Sequence, residues 1–524
     1  MIQDALSKIC TPFLEYINGL DISLVPTILR YEATQPLIFS SGLFFALFLC
    51  FLVIYRLLKH QTKARILYVT LFSLYFYYKC SGLYLILLVA MVTSDFIIGR
   101  CIEKAESKEL RKRWVTLSVG IDLGILAFFK YFNFLATIVV NSINSIGTIA
   151  GISHTESLSW EGLPIILPVG ISFFTFQSLS YIIDVYRGDV KPLNRWIDYL
   201  FYVSFFPQLV AGPIVRAKDF IPQIYRTPYL SKGNFGKGLF LVMIGLFKKA
   251  IISDYISLNF VDRVFEAPAL YSGVENILAA YGYALQIYCD FSGYSDMAIG
   301  IALFLGFKFN DNFDVPYNAA TITEFWRRWH ISLSSWLKDY LYIPLGGNRK
   351  GRFRTYLNLL VTMLLGGLWH GAAWQFIFWG GMHGLALAIH KLWMRIFPKS
   401  KVWGKEMRPF WRCLGILVTF HYVVFLFLFF RASSFESGMQ MIHQMLYAFH
   451  PEVFTQFISG YTLVFIFIVL GYILHFLPRH WRRGAQRGLT RSPFLLQVLL
   501  FTLLVFFVFQ VKSADVQPFI YFQF

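Results

Sequence analysis

Runs of about 20 apolar residues recur along this chain between residues 37 and 511, and about 20 such residues in a helix span the hydrocarbon core of a bilayer. Inside lipid every backbone N–H and C=O needs an internal partner, so runs of this kind are helical. We expect spans near 37–58, 66–79, 82–99, 114–135, 163–185, 239–262, 275–306, 355–370, 374–394, 411–430, 461–477 and 494–511. The runs at 66–79 and 355–370 are short and suit burial by neighbours rather than contact with lipid. Segments 197–215 and 324–345 mix apolar residues with Pro, Gly, Trp or charge, which fits re-entrant or interfacial helices. Only 15% of the residues are charged, against about 25% in an average soluble protein. This much apolar side chain cannot hide in one soluble core, so a soluble enzyme, a disordered chain and a disulfide scaffold are excluded. The expected fold is an all-α polytopic membrane protein of about twelve spans plus re-entrant or interfacial helices.

The formal net charge is +18. In a soluble chain that excess would point to nucleic acid. Here the cations sit in short loops between apolar runs, so they read as membrane topology and contact with anionic lipid, and no nucleic-acid partner is expected. Arg111–Arg113, Arg187–Arg195, Arg216–Lys237, Arg349–Arg354, Lys399–Arg412 and Arg479–Arg491 all fall on one side if 197–215 and 324–345 turn back. Positive loops stay cytoplasmic. Loops 150–162, 263–274 and 431–460 are poor in Lys and Arg, and they fall outside together with both termini. The expected location is a cytoplasmic (inner) membrane. The six cysteines are scattered, with no CxxC pair, and most lie in or beside apolar runs as small hydrophobes. The first long apolar run starts only near Leu37, which does not suit a cleavable secretory signal. No inverted repeat of the transporter kind is visible.

Polar residues inside apolar runs cost about 2.5–3.5 kcal/mol each at mid-membrane, so they are functional candidates. The first cluster, around Asp290, Ser292 and Asp296, interrupts the seventh span. It can form a polar wall of a pocket or tunnel. It can equally form a hydrogen-bonded helix seam, with Gly293 and Ser292 allowing close approach. The second cluster runs from Glu324 through Trp326, Arg327, Arg328, Trp329 and His330 to Trp336. It reads as an interfacial helix with an aromatic belt, or as a site where His330 and the arginines meet an anionic ligand. The third cluster, Gly366-Gly-Leu-Trp369-His370-Gly-Ala-Ala-Trp374, places a histidine where one apolar helix ends and the next begins. An isolated histidine of this kind is usually a satisfied core residue. Catalysis would also suit it, because neutral imidazole can take a proton from a hydroxyl near neutral pH. His383 and His390 share a face of the ninth span, and a metal site with His370 would be conceivable. Nothing nearby has zinc-ligand spacing, so no metal is expected.

Together these stretches resemble the membrane-bound O-acyltransferase family, in its bacterial alginate O-acetyltransferase-like branch. The carrying stretches are Leu167–Gln177, Gln208–Pro213, Tyr288–Ala298, Glu324–Ser334 and Gly367–Gly371, in the family's order. The resemblance implies an hourglass of helices with a central tunnel. It also implies transfer of an acetyl group from cytoplasmic acetyl-CoA towards an exported polysaccharide. His370 matches the family's catalytic histidine and His330 the second functional histidine of this branch. Asp290, Asp296, Glu324, Arg327 and Trp369 fall inside matched motifs as pocket or tunnel candidates. No permanently bound cofactor is implied; acetyl-CoA is a substrate, and a periplasmic SGNH-type partner completes transfer to the glycan. The ending Pro518–Phe524 resembles the tail of the small membrane partner in teichoic-acid D-alanylation, which makes Tyr521 an acyl-relay candidate. The tail could otherwise be a hydrophobic anchor.

The chain thus divides into an outer interfacial segment 1–36, N-terminal spans 37–160, a catalytic core 161–395, C-terminal spans 396–511 and an outer tail 512–524. Peptidoglycan, teichoic acid or another cell-wall polymer are alternative acceptors. A transporter of a lipid-linked sugar is the rival outside enzymology.

Overall fold

The computed structural model describes residue 28 and residues 30–33, 36–149, 158–397 and 408–511. All regular elements among them are helical. The first three long helices are α1 (Gly42–Leu57), α2 (Thr62–Ser81) and α3 (Leu85–Lys104), the last two separated only by the tight turn Gly82–Tyr84. Then come α4 (Lys108–Leu126) and α5 (Phe132–Ile149), joined through a wide π-type turn at Ala127–Tyr131. After an extended stretch, α6 (Ile171–Arg187) is followed by the short α7 (Trp196–Ser204), and α8 (Lys232–Leu246) packs along the 32-residue α9 (Gly273–Phe304). Two short helices, α10 (Ile322–Trp326) and α11 (Ile331–Leu337), precede the antiparallel pair α12 (Arg352–His370) and α13 (Trp374–Ile396). The C-terminal part holds α14 (Pro409–Arg431), α15 (Phe435–Tyr447), α16 (Val453–Gly460), α17 (Thr462–Phe476), α18 (Arg479–Arg491) and α19 (Phe494–Val511).

The all-helical, membrane-embedded character expected from the apolar runs is present, but the twelve spans are not recovered one for one. Among the described residues, four helical stretches are long and apolar enough to cross a membrane, or five if the pair α16 and α17, bent by 94°, is one span. The surface supplies a second sign of lipid. In the stretch Lys108–Thr148 only 6% of the apolar window is buried, and in α19 only 11%. Leu117, Leu135, Val139, Ile146, Leu495 and Phe506 point outward, and hydrocarbon is the solvent in which such a surface is stable.

Three local differences have physical causes. The span expected at 163–185 becomes helical only at Ile171, because Pro164 and Pro168 lack backbone donors and Gly170 adopts φ 74°. The segment 197–215, expected as re-entrant or interfacial, is buried almost throughout by protein, which is where irregular backbone is tolerated at membrane depth. The basic loop after α17 forms α18, whose arginines leave none of its residues buried. Most of the segment 1–36, and the whole tail 512–524 with Tyr521, lie outside the described residues.

Two glycine contacts hold the core together. A Cβ on Gly367 in α12 would lie 2.2 Å from the Phe376 carbonyl of α13, and one on Gly380 would lie 2.3 Å from the Met363 carbonyl. In the second contact, a Cβ on Gly245 would lie 2.6 Å from the Gly293 carbonyl of α9. Backbones this close leave no room for a side chain, the packing mode of small residues in membrane helices. Gly367→Val should therefore separate α12 from α13 at a cost of about 1–3 kcal/mol. A lowered unfolding temperature in detergent is the readout; an unchanged one would show that the hairpin can slide apart freely.

Candidate functional site

The site is built at the end of α12, where the sequence Gly367-Leu-Trp369-His370 stops a helix inside the protein. The last carbonyls of any helix lack intrahelical donors. Here three consecutive ones are capped by the π-type turn between α4 and α5. Tyr131 donates its hydroxyl to the Leu368 carbonyl (2.9 Å), and the Lys130 Nζ donates to the carbonyls of Trp369 (2.7 Å) and His370 (2.9 Å). The wide turn lets consecutive residues reach one helix end, a common use of π geometry at functional sites.

His370 is 3% exposed, and its ring packs edge-on against Trp369, Trp379 and Phe430 at centroid distances of 4.9, 5.2 and 5.1 Å. His330 is fully buried and also meets this indole, 6.2 Å from Trp369 between ring centroids. The two histidines that lie 40 positions apart in sequence thus face one tryptophan. Phe173 and Phe176 of α6 complete the wall, at 5.5 and 5.4 Å from Trp369, and Trp336 stacks on Phe176 at 3.8 Å.

His330 sits in left-handed backbone geometry (φ 43°) at the start of α11. Asn312 holds it there. The Asn312 carbonyl accepts from Ile331 N–H, its Oδ1 accepts from Ser332 N–H (3.1 Å) and Oγ (2.9 Å), and its Nδ2 donates to Ser295 Oγ (3.1 Å). Because Oδ1 is an acceptor in all these bonds, its 3.2 Å contact with His330 Nδ1 is made with Nδ1 protonated. That leaves the lone pair on Nε2, a buried atom with no hydrogen-bond partner among the described residues. The imidazole is therefore set up as a proton acceptor at Nε2.

Two cavities lie at opposite ends of the α12–α13 hairpin. At the His370 end, a small cavity of about 40 Å3 is lined by Lys130, Pro168, Gly170, Phe173, Trp369 and His370, among others. Towards the start of α12 and the end of α13, a larger one of about 990 Å3 is lined by α10, α11 and the two long helices. Its walls carry Arg327, Lys338, Lys391 and Arg412 against one carboxylate, Glu324. Glu324 accepts from Ala320 N–H (2.9 Å) and pairs with Arg328 (2.7 Å) and Arg412 (3.4 Å). Burial alone would raise its carboxyl pKa, but these bonds and the two guanidiniums outweigh it and hold the value below the usual range. The Arg327 guanidinium makes no hydrogen bond or ion pair among the described residues, so its charge is available to an anion entering the cavity. Glu324 and Arg327 thus line the larger cavity, Trp369 and His370 the smaller one, and His330 meets the Trp369 ring without lining either.

Asp290 and Asp296 are placed elsewhere. Asp290 pairs with Lys249 at 2.5 Å, which also pairs with Asp254 at 2.8 Å, and Asp296 pairs with Lys248 at 2.7 Å. Neither acid lines the two cavities; both sit in the seam between α9 and the segment continuing α8. These ion pairs are what the helix-seam reading describes. Asp290→Ala should strip Lys249 of one buried partner and cost about 3–5 kcal/mol, the usual loss when a buried pair is broken. The check is a fall in thermal stability with the KM for the acyl donor unchanged in the protein that folds. A raised KM at unchanged stability would return Asp290 to the cavity.

His383 and His390 are engaged separately. Trp326 Nε1 donates to His383 Nδ1 (3.3 Å), and Thr323 Oγ1 meets His390 Nδ1 at 2.8 Å. Among the described residues no group of three His, Cys, Asp or Glu side chains could hold a metal ion. The residues that sequence reading missed are Lys130, Tyr131 and Asn312. Lys130 alone gave a signal, a cation inside an apolar run.

The comparison with known proteins agrees with this architecture. The model of the membrane-bound O-acyltransferase family matches residues 194–439. The chain is 38% identical over 515 residues to a probable alginate O-acetylase of Pseudomonas putida, covering 93% of this chain and 100% of that one. It is 37% identical to a peptidoglycan O-acetyltransferase of Helicobacter pylori, covering 72% of this chain and 73% of that one. It is 30% identical to a teichoic acid D-alanyltransferase of Bacillus subtilis, covering 51% of this chain and 69% of that one. This chain belongs to the membrane-bound O-acyltransferase family and is an O-acyltransferase of the membrane.

Proposed function

We propose that the protein takes an acetyl group from cytoplasmic acetyl-CoA and delivers it across the membrane for O-acetylation of an exported polysaccharide, alginate or an alginate-like polymer. The observation that carries this reading is the meeting of His330 and His370 at Trp369, between a basic cavity and a small cavity at opposite ends of one helical hairpin. The phosphates of CoA suit Arg327, Lys338, Lys391 and Arg412. The thioester then lies along the aromatic wall, and His370 takes the proton of the attacking hydroxyl. His330, with its lone pair on Nε2, accepts from the S–H of the departing thiol. Peptidoglycan or teichoic acid as acceptor keeps the same chemistry, and the named relatives favour those as the second reading. A lipid-linked sugar transporter has no use for this pair of histidines.

The basic loops give the orientation in a cytoplasmic (inner) membrane: the region of Arg111, Arg349 and Arg482 faces the cytoplasm, and 431–460 and both termini face outward. A Cys placed at Ser437 should then react with an impermeant thiol reagent added outside, and one at Gln486 should not. The reverse pattern would sink the orientation.

A soluble thioester cannot cross the bilayer, and a bulky glycan cannot enter a cavity of about 40 Å3. The tail phenol of Tyr521, which lies outside the described residues, can bridge that gap as an aryl ester. Its alcohol has a pKa of about 10, so onward transfer to a periplasmic SGNH-type partner is feasible. His370→Ala should abolish CoA release from acetyl-CoA in a folded protein. Tyr521→Phe should keep acetyl-CoA binding and stop acetylation of the glycan in cells. Wild-type turnover by the first variant would overturn the acyl-transfer mechanism; full glycan acetylation by the second would leave the tail as an anchor.

A further inference from the structure

Lys130 places an ionisable side chain in an apolar stretch. No carboxylate lies within ion-pair distance of it among the described residues. Two of the three N–H bonds of its ammonium go to the carbonyls of Trp369 and His370. Neutral donors could cap a helix end, as the Tyr131 hydroxyl does for Leu368 one residue away. A full charge at membrane depth is costly and marks function by default. Lys130 also lines the small cavity together with Trp369 and His370, so its third N–H is left for whatever reacts there.

We propose that Lys130 is a catalytic residue, the donor that stabilises the oxyanion of acyl transfer. The inference rests on the acyl-transfer reading above and adds to it the group that receives the developing charge. The hydroxyl oxygen of the acceptor bonds to the acetyl carbonyl carbon while its proton passes to a ring nitrogen of His370. The carbonyl π pair moves onto oxygen, and that oxyanion takes the third N–H of Lys130. Collapse restores the carbonyl and breaks the C–S bond, and the departing CoA thiolate takes the proton back from the imidazolium. Lys130 gives up no proton and returns unchanged. The charge is worth most here because the cavity holds little water and the ammonium is already fixed by two carbonyls, so it need not reorganise as the oxyanion forms.

Lys130→Met and Lys130→Gln, in the full chain in nanodiscs, test the assignment. Glutamine keeps an N–H donor for the helix end without the charge, and so separates capping from catalysis. The readout is single-turnover release of CoA thiol from acetyl-CoA by the full chain, whose Tyr521 hydroxyl is the acceptor. Both variants should slow the step about 10²–10³-fold, the usual loss for one oxyanion donor. Acetyl-CoA affinity and unfolding temperature should stay near wild type for the glutamine variant. Wild-type rates in Lys130→Gln would reduce Lys130 to a positioning residue for α12 and overturn the proposal. A raised KM for acetyl-CoA at unchanged rate constant would mean that Lys130 only helps to bind the donor, which also overturns it. Should Lys130→Met fail to fold, Lys130→Gln decides alone. Wild-type protein that releases no CoA, or His370→Ala that releases it normally, would instead overturn the acyl-transfer reading itself.

Discussion

A helix that ends inside a membrane protein leaves its last carbonyls without water to satisfy them. α12 ends in this way, and the answer is a turn from another part of the chain: Lys130 and Tyr131 supply donors to Leu368, Trp369 and His370. The rest of the site depends on that contact. It allows a helix to stop beside a cavity, and it fixes the residue at the stopping point. The hairpin turn that follows is short because Gly367 and Gly380 let α12 and α13 touch. His370 thus sits at a fixed place at the helix end rather than on a loop.

The second histidine is held by different means with the same result. Asn312 ties up the carbonyl-side and side-chain donors around a left-handed residue and leaves one imidazole nitrogen as an acceptor. Strained backbone of this kind is sustained only when the surroundings over-determine it. Each histidine therefore depends on a partner far away in sequence. The polar groups are not distributed at random in the apolar body: the acids Asp290 and Asp296 are consumed by lysines in a helix seam, while Arg327 is left open at the large cavity.

Much of this was legible in the sequence, and the exceptions have a common cause. The apolar runs gave the helical membrane class, and the motifs around Glu324, His330 and Gly367–Gly371 gave residues that line the two cavities or meet at Trp369. What the sequence could not give is which polar residue faces which neighbour. Asp290 and Asp296 fit a tunnel wall or a seam equally well until Lys248 and Lys249 were seen opposite them. Lys130 and Asn312 act across 240 and 18 residues of chain, and neither belongs to a local pattern. The count of about twelve spans is not confirmed for a related reason: helices buried by protein need neither the length nor the uniform hydropathy of lipid-facing ones, and only four or five described stretches have both.

The central claim is that donor and acceptor meet at Trp369, with the donor arriving through the basic cavity. A cryo-EM structure with a non-hydrolysable acetyl-CoA analogue in nanodiscs tests it most directly. The account predicts phosphate density beside Arg327, Lys338 and Lys391 and a pantetheine arm running between α11 and α12, with the thioester between His330 and His370. Density for the analogue at another cavity, or a thioester beyond contact with Trp369, would contradict it.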